Sequence, residues 1–88
     1  MPFESLKIKD VKINIGELVK LVRKREKVTQ EELAELLNLS KLTIHNLEAG
    51  RNTNIDTLLK VFQHFDLLEK FNQQLLDNIQ DQHYDSLY

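Results

Sequence analysis

Thr29-Gln30-Glu31-Glu32-Leu33-Ala34-Glu35-Leu36-Leu37-Asn38-Leu39-Ser40-Lys41-Leu42-Thr43-Ile44-His45-Asn46-Leu47-Glu48-Ala49-Gly50 is the stretch on which the fold turns. Thr29 with Glu32 three residues on is a capping box, and it opens a helix over Gln30 to Leu37. Leu33, Ala34 and Leu37 form its inward face. Asn38 follows where the chain must turn, and asparagine tolerates the left-handed conformation better than most residues. Ser40 caps the next helix, which runs to Glu48 or Ala49 with Ile44 and Leu47 turned inward, and Gly50 stops it. Two short capped helices joined by a tight turn, with the small Ala34 at their crossing, match a helix-turn-helix, in which the second helix enters the major groove of DNA; an ordinary helical hairpin in a bundle is the other reading.

The outward residues of that second helix are Lys41, Leu42, Thr43, His45 and Asn46. A merely solvated helix favours Glu and Lys pairs and has little use for an exposed leucine. In a groove each residue finds a partner: lysine donates to guanine, asparagine bonds adenine bidentately, and leucine or threonine meets a thymine methyl.

Working outward, Arg51-Asn52-Thr53 is a polar loop, and Asn54 caps a fourth helix carrying Leu58, Leu59, Val61, Phe62 and Phe65. Asp66 breaks the pattern. A fifth helical segment follows, with Leu67, Leu68, Phe71, Leu75 and Ile79 on one stripe. Upstream, Asn14 with Glu17 reads as a second capping box, stapled by Ile13 and Leu18, for a first helix with Leu18, Leu21 and Val22 on its inner face. Gly16 in that helix permits close approach of another backbone. The expected division is an N-terminal arm over 1–13, a helix-turn-helix domain over 14–79 with the motif itself at 30–48, and a flexible acidic tail over 80–88. Within the arm, Leu6-Lys7-Ile8-Lys9 and Val11-Lys12-Ile13-Asn14-Ile15 alternate with period two, so a short strand and an extended arm are both open readings.

Composition narrows the function classes. Hydrophobic residues at 41% and charged residues at 30% suit one globular domain rather than a disordered chain. Cysteine is absent, which removes disulfides, thiolate metal sites and thiol nucleophiles. No apolar run is long enough for a membrane span or signal peptide, and a cytoplasmic protein with no membrane association is expected. The net charge of −2 divides unevenly: residues 1–53 hold ten Lys/Arg against eight Asp/Glu, or +2, and residues 54–88 hold two against six, or −4. A polyanion would meet the first part, which includes the cluster Lys20, Arg23, Lys24, Arg25 and Lys27. His45, His64 and His83 lie 19 residues apart each way and match no local zinc motif. No phosphate loop, carboxylate pair or nucleophile–base arrangement appears, so neither an enzyme nor a cofactor is expected.

The stretch Thr29 to Leu37, followed by Leu39 to Gly50, resembles the XRE family of Cro and phage-repressor helix-turn-helix proteins. The similarity extends to Gly16-Glu17-Leu18-Val19-Lys20-Leu21-Val22-Arg23 and to Asp56-Thr57-Leu58-Leu59-Lys60, covering roughly 14–68. Asn38 and Asp66 stand where that family often has glycine. The resemblance implies an all-α, five-helix, lambda-repressor-like domain that regulates transcription by binding DNA. It implies that Lys41, Leu42, His45 and Asn46 face base edges, with Thr43 on a phosphate or a thymine methyl. Gln30 would meet a phosphate and buttress the first residue of the recognition helix, and Ser40, Arg51, Asn52 and Thr53 would hold the backbone. It implies a structural ion pair between Arg23 and Glu48 rather than a DNA contact by Arg23.

Proteins of this class bind as dimers to half-sites about one helical turn, ~34 Å, apart. Leu68, Phe71 and Leu75 are the natural homodimer surface, unless the stripe simply closes the core. The layout resembles short HipB-type antitoxins, which bind their own palindromic operator and a kinase-like toxin. Phage repressors and restriction–modification controllers fit nearly as well. The alternative from another class is a protein-interaction module that uses the motif only as a scaffold.

Overall fold

The computed structural model describes residues 5–86, and five helices account for most of them: α1 (Ile8–Arg25), α2 (Gln30–Leu37), α3 (Lys41–Glu48), α4 (Ile55–His64) and α5 (Leu68–Ser86). No strand occurs among the described residues, and no helix there is long and apolar enough to cross a membrane. The core is Val19, Val22, Leu33, Ala34, Ile44, Leu47, Val61, Phe62 and Phe65, with Ile15, Val28, Leu37, Leu39, Leu58, Leu67 and Leu68 packed around it. Helix α3 lies against both α1 and α2, which fixes its orientation from two sides.

Local chemistry explains most boundaries. Thr29 Oγ1 accepts from Glu32 N at 3.0 Å while the Glu32 carboxylate accepts from Thr29 N at 2.9 Å. That last contact, with the Thr29 hydroxyl assisting, holds the Glu32 carboxyl below the usual carboxylate range. Ser40 Oγ accepts from Thr43 N at 3.1 Å and Asn54 Oδ1 from Thr57 N at 2.8 Å, capping α3 and α4. Asn38, Gly50 and Asp66 all take the left-handed conformation, at φ 57°, 74° and 59°. Each is followed by an N–H that reaches back to a helix carbonyl: Leu39 to Ala34, Arg51 to Asn46, Leu67 to Phe62. Lys27 closes α1 in the same way at φ 59°, with Val28 N donating to Arg23 O.

The start of α1 departs from the sequence reading. Residues 8–13, expected as a strand or extended arm, are helical, and Lys7 rather than the anticipated Asn14 is the cap. Lys7 is extended, and the Asp10 carboxylate accepts from its N–H at 3.0 Å. The alternating letters conceal a helical stripe, because Ile8, Val11, Ile15, Val19 and Val22 are spaced three or four apart. With no partner strand present, helix satisfies the backbone within the segment itself. Residues 1–4 of the expected arm lie outside the described residues.

The inner face of α1 is also rotated. Gly16, Val19, Val22 and Arg23 are buried, whereas Leu18 and Leu21, expected inward, are 39% and 58% exposed. The register is set by Gly16, where an added Cβ would lie 2.4 Å from the Glu48 carbonyl oxygen. Backbone contact at that point turns Val19 inward and leaves the leucines outside.

At the other end, α5 continues to Ser86, through most of the segment expected to be an irregular tail; residues 87–88 lie outside the description. Its first turn is tied to α4 by the edge-on rings of Phe62 and Phe71, centroids 5.6 Å apart. The first part of the stripe, Leu67 and Leu68, packs against the core, whereas Leu75, Leu76 and Ile79 are about half exposed.

Candidate nucleic-acid interface

Ile44 and Leu47 seat α3 by its inner face, at 0% and 2% exposure. The opposite face carries the candidate readers. Lys41, Leu42 and His45 are exposed, with Leu42 at 63%, and Thr43 and Asn46 are half-buried along the margin. Leu36 and Leu42 are both large apolar side chains left in solvent next to the turn, and neither adds to the core.

The last turn of α3 is locked by a buried ion pair. Arg23 Nε donates to Glu48 Oε2 at 2.5 Å and Nη2 to Glu48 Oε1 at 2.9 Å, a bidentate fork that joins α1 to α3. The third guanidinium nitrogen donates to the Val28 carbonyl at 2.9 Å, so the Arg23 fork also holds the α1–α2 turn. The two side chains are 10% and 4% exposed. Burial alone would push the Glu48 carboxyl up; the hydrogen bonds from Arg23 and Gln30, with the Arg23 charge and the more distant Lys20, outweigh it and leave it below the ordinary range. The same hydrogen bond raises Arg23 further, against its own burial.

Gln30 makes one side-chain hydrogen bond across to α3. Its Nε2 donates to Glu48 Oε1 at 3.0 Å, so it braces the end of α3. Ser40 and Thr43 hydroxyls lie 2.7 Å apart and share the cap of α3, which turns both toward the helix start. Lys41 shares a shallow concavity with Gln30, Glu31, Glu32 and Glu35 of α2.

The loop after α3 completes the surface. Arg51 Nη1 donates to Asn46 Oδ1 at 3.2 Å, which leaves the Asn46 amide N–H groups to serve as donors. Leu39, Thr43, Asn46, Asn52, Thr53, Asn54 and Thr57 line a concavity of about 530 Å³ beside α3. One residue absent from the sequence reading joins this loop: Lys12, whose Nζ donates to Asn52 Oδ1 at 2.5 Å. Only a longer α1 could have signalled it, since the two residues are 40 apart in the chain. By contrast Leu68, Phe71 and Leu75 lie well away from these readers, in a groove between α4 and α5.

Residues 19–69 match the model of a helix-turn-helix family, more than half of the chain and all of α2, α3 and α4. Among curated proteins, none matches the sequence. A capped two-helix unit, an outward reading face on its second helix and that family match converge on one statement: the chain belongs to the XRE-type helix-turn-helix family of DNA-binding regulators.

Proposed function

We propose that the protein is a repressor that binds a palindromic operator as a homodimer. The observation that carries this reading is the two-sided character of α3: Ile44 and Leu47 anchor it while Lys41, Leu42, His45 and Asn46 face outward with base-reading chemistry. Arg51, Asn52 and Thr53 sit where a loop would hold the phosphate backbone and set register. A band-shift titration on the DNA upstream of the protein's own reading frame tests it. Lys41→Ala and Asn46→Ala are each expected to cost ~1–3 kcal/mol at one base position while leaving the melting curve unchanged. Unaltered binding by both variants would remove α3 as the reader.

The dimer reading is supported by the groove of about 550 Å³ between α4 and α5, lined by Ile55, Leu59, Leu68, Phe71 and Leu75. A second copy suits it because a two-fold operator calls for a two-fold protein. Leu75→Asp is therefore expected to sediment as a monomer and to bind the operator about two orders of magnitude more weakly, the avidity of paired half-sites. A dimer that survives this change places the interface elsewhere.

Within this class we favour the antitoxin of a HipB-type operon. Its support is the acidic second part of the chain, in which Glu69, Asp77 and Asp81 are exposed along α5 and offer a surface to a kinase-like toxin. Co-purification with the product of the adjacent reading frame checks it.

A further inference from the structure

We propose that the opening turns of α1, through Lys12 and Lys9, form a second phosphate-backbone contact continuous with the loop after α3. The inference rests on the DNA-binding reading above and adds residues to it. The matched family segment begins at Val19, so membership in the family assigns these turns no role.

Three observations carry it. First, Lys12 is held at the loop by the neutral Asn52 amide. Among the described residues no ion pair joins Lys12 to a carboxylate. An ammonium has three donors, and one bond to an amide oxygen leaves two N–H groups and the full charge for an anion. Second, the helices meet closely. A Cβ at Gly50 would lie 3.0 Å from Ile13 Cγ1, and one at Gly16 would lie 2.4 Å from the Glu48 carbonyl oxygen. The start of α1 is thus seated directly on the end of α3 and its loop, which keeps the Lys12 backbone beside that loop. Third, the charge runs on. Lys9 precedes Lys12 by three positions, on the same side of the helix, and is exposed. Asp10, an acid between the two lysines, is engaged at the helix start by the Lys7 N–H.

A ligand for this stripe must be a repeating anion that already meets Arg51, Asn52 and Thr53, which describes the sugar-phosphate backbone flanking the bases read by α3. Backbone contacts of this kind add affinity without sequence information and appear in the salt dependence.

The test is a salt titration of operator binding with the full chain, as wild type, Lys12→Gln, Lys9→Gln with Lys12→Gln, and Lys12→Arg. Removing one lysine–phosphate interaction is expected to lower the slope of log affinity against log salt by about 0.9. Between 50 and 200 mM salt the drop in affinity should therefore shrink by about 3.5-fold for the single variant and about 12-fold for the double. Preference among operator base variants should stay as in wild type, and Lys12→Arg should keep the wild-type slope. A glutamine variant with the wild-type slope overturns the proposal while leaving DNA binding by α3 standing. So does a Lys12→Arg that is as impaired as Lys12→Gln, because position rather than charge would then matter. A wild type that binds no DNA overturns both.

Discussion

Glu48→Ala is expected to lose about 3–5 kcal/mol of folding stability, because it strands the Arg23 guanidinium in a buried site with only the Val28 carbonyl as partner. A domain of this length holds roughly 4–13 kcal/mol in total. The variant should therefore melt far below wild type or populate unfolded chain at ambient temperature. Replacing both partners, Arg23→Met with Glu48→Leu, should recover much of the stability, since two apolar side chains of similar reach leave no unpaired charge. Urea denaturation of the three chains decides it. A Glu48→Ala change within ~0.5 kcal/mol of wild type would mean the pair behaves like an exposed one. The same pair sets an acid limit. The Glu48 carboxyl sits below its ordinary value of 4.5 in the folded state, so its contribution is complete above that value and is lost as pH falls through the folded one. In Glu48→Gln that part of the acid sensitivity should vanish.

Gly16→Ala carries the second large effect, and here two terms oppose each other. Alanine in a helix interior gains up to about 1 kcal/mol over glycine. Against that, its Cβ would lie 2.4 Å from the Glu48 carbonyl oxygen and 2.8 Å from that of Leu47, both backbone atoms that no rotamer change can move. Forcing α1 off α3 costs of the order of 1–3 kcal/mol for overpacking, and it also stretches the Arg23–Glu48 fork one helix turn or two further on. The clash wins, and a net loss of about 2 kcal/mol is expected. Operator affinity should fall as well, because α3 shifts with its neighbour. Thermal melting and a band shift measured together check both halves; a stabilised Gly16→Ala would show that the two helices have slack.

The helix-turn-helix is legible in the sequence because its signals are local. Thr29, Ser40 and Asn38 each act within five residues of what they cap or close, so spacing alone exposes them. The first helix is harder to read because its letters satisfy two periods at once and its cap position is a lysine, answered by Asp10; the seat of Gly16 on the end of α3 spans about thirty positions and emerges only in three dimensions. Polar residues such as Gln80, Asp81 and Gln82 leave no apolar period to read, yet they continue α5 in solvent. Within the candidate site, the outward set on α3 follows from helical geometry once Ile44 and Leu47 are turned inward. The partners of Gln30 and Lys12 do not follow, since those bonds span 18 and 40 positions and depend on how the helices are rotated.

The split along α3 has an evolutionary consequence. Foldability is vested in Ile44, Leu47 and Glu48, whereas Lys41, Leu42 and His45 contribute nothing to the interior. Those three positions are free to mutate with little thermodynamic penalty, so a duplicated copy can acquire a new target while its scaffold is inherited intact. Under the proposed function, divergence of recognition and preservation of architecture fall on opposite sides of one eight-residue rod.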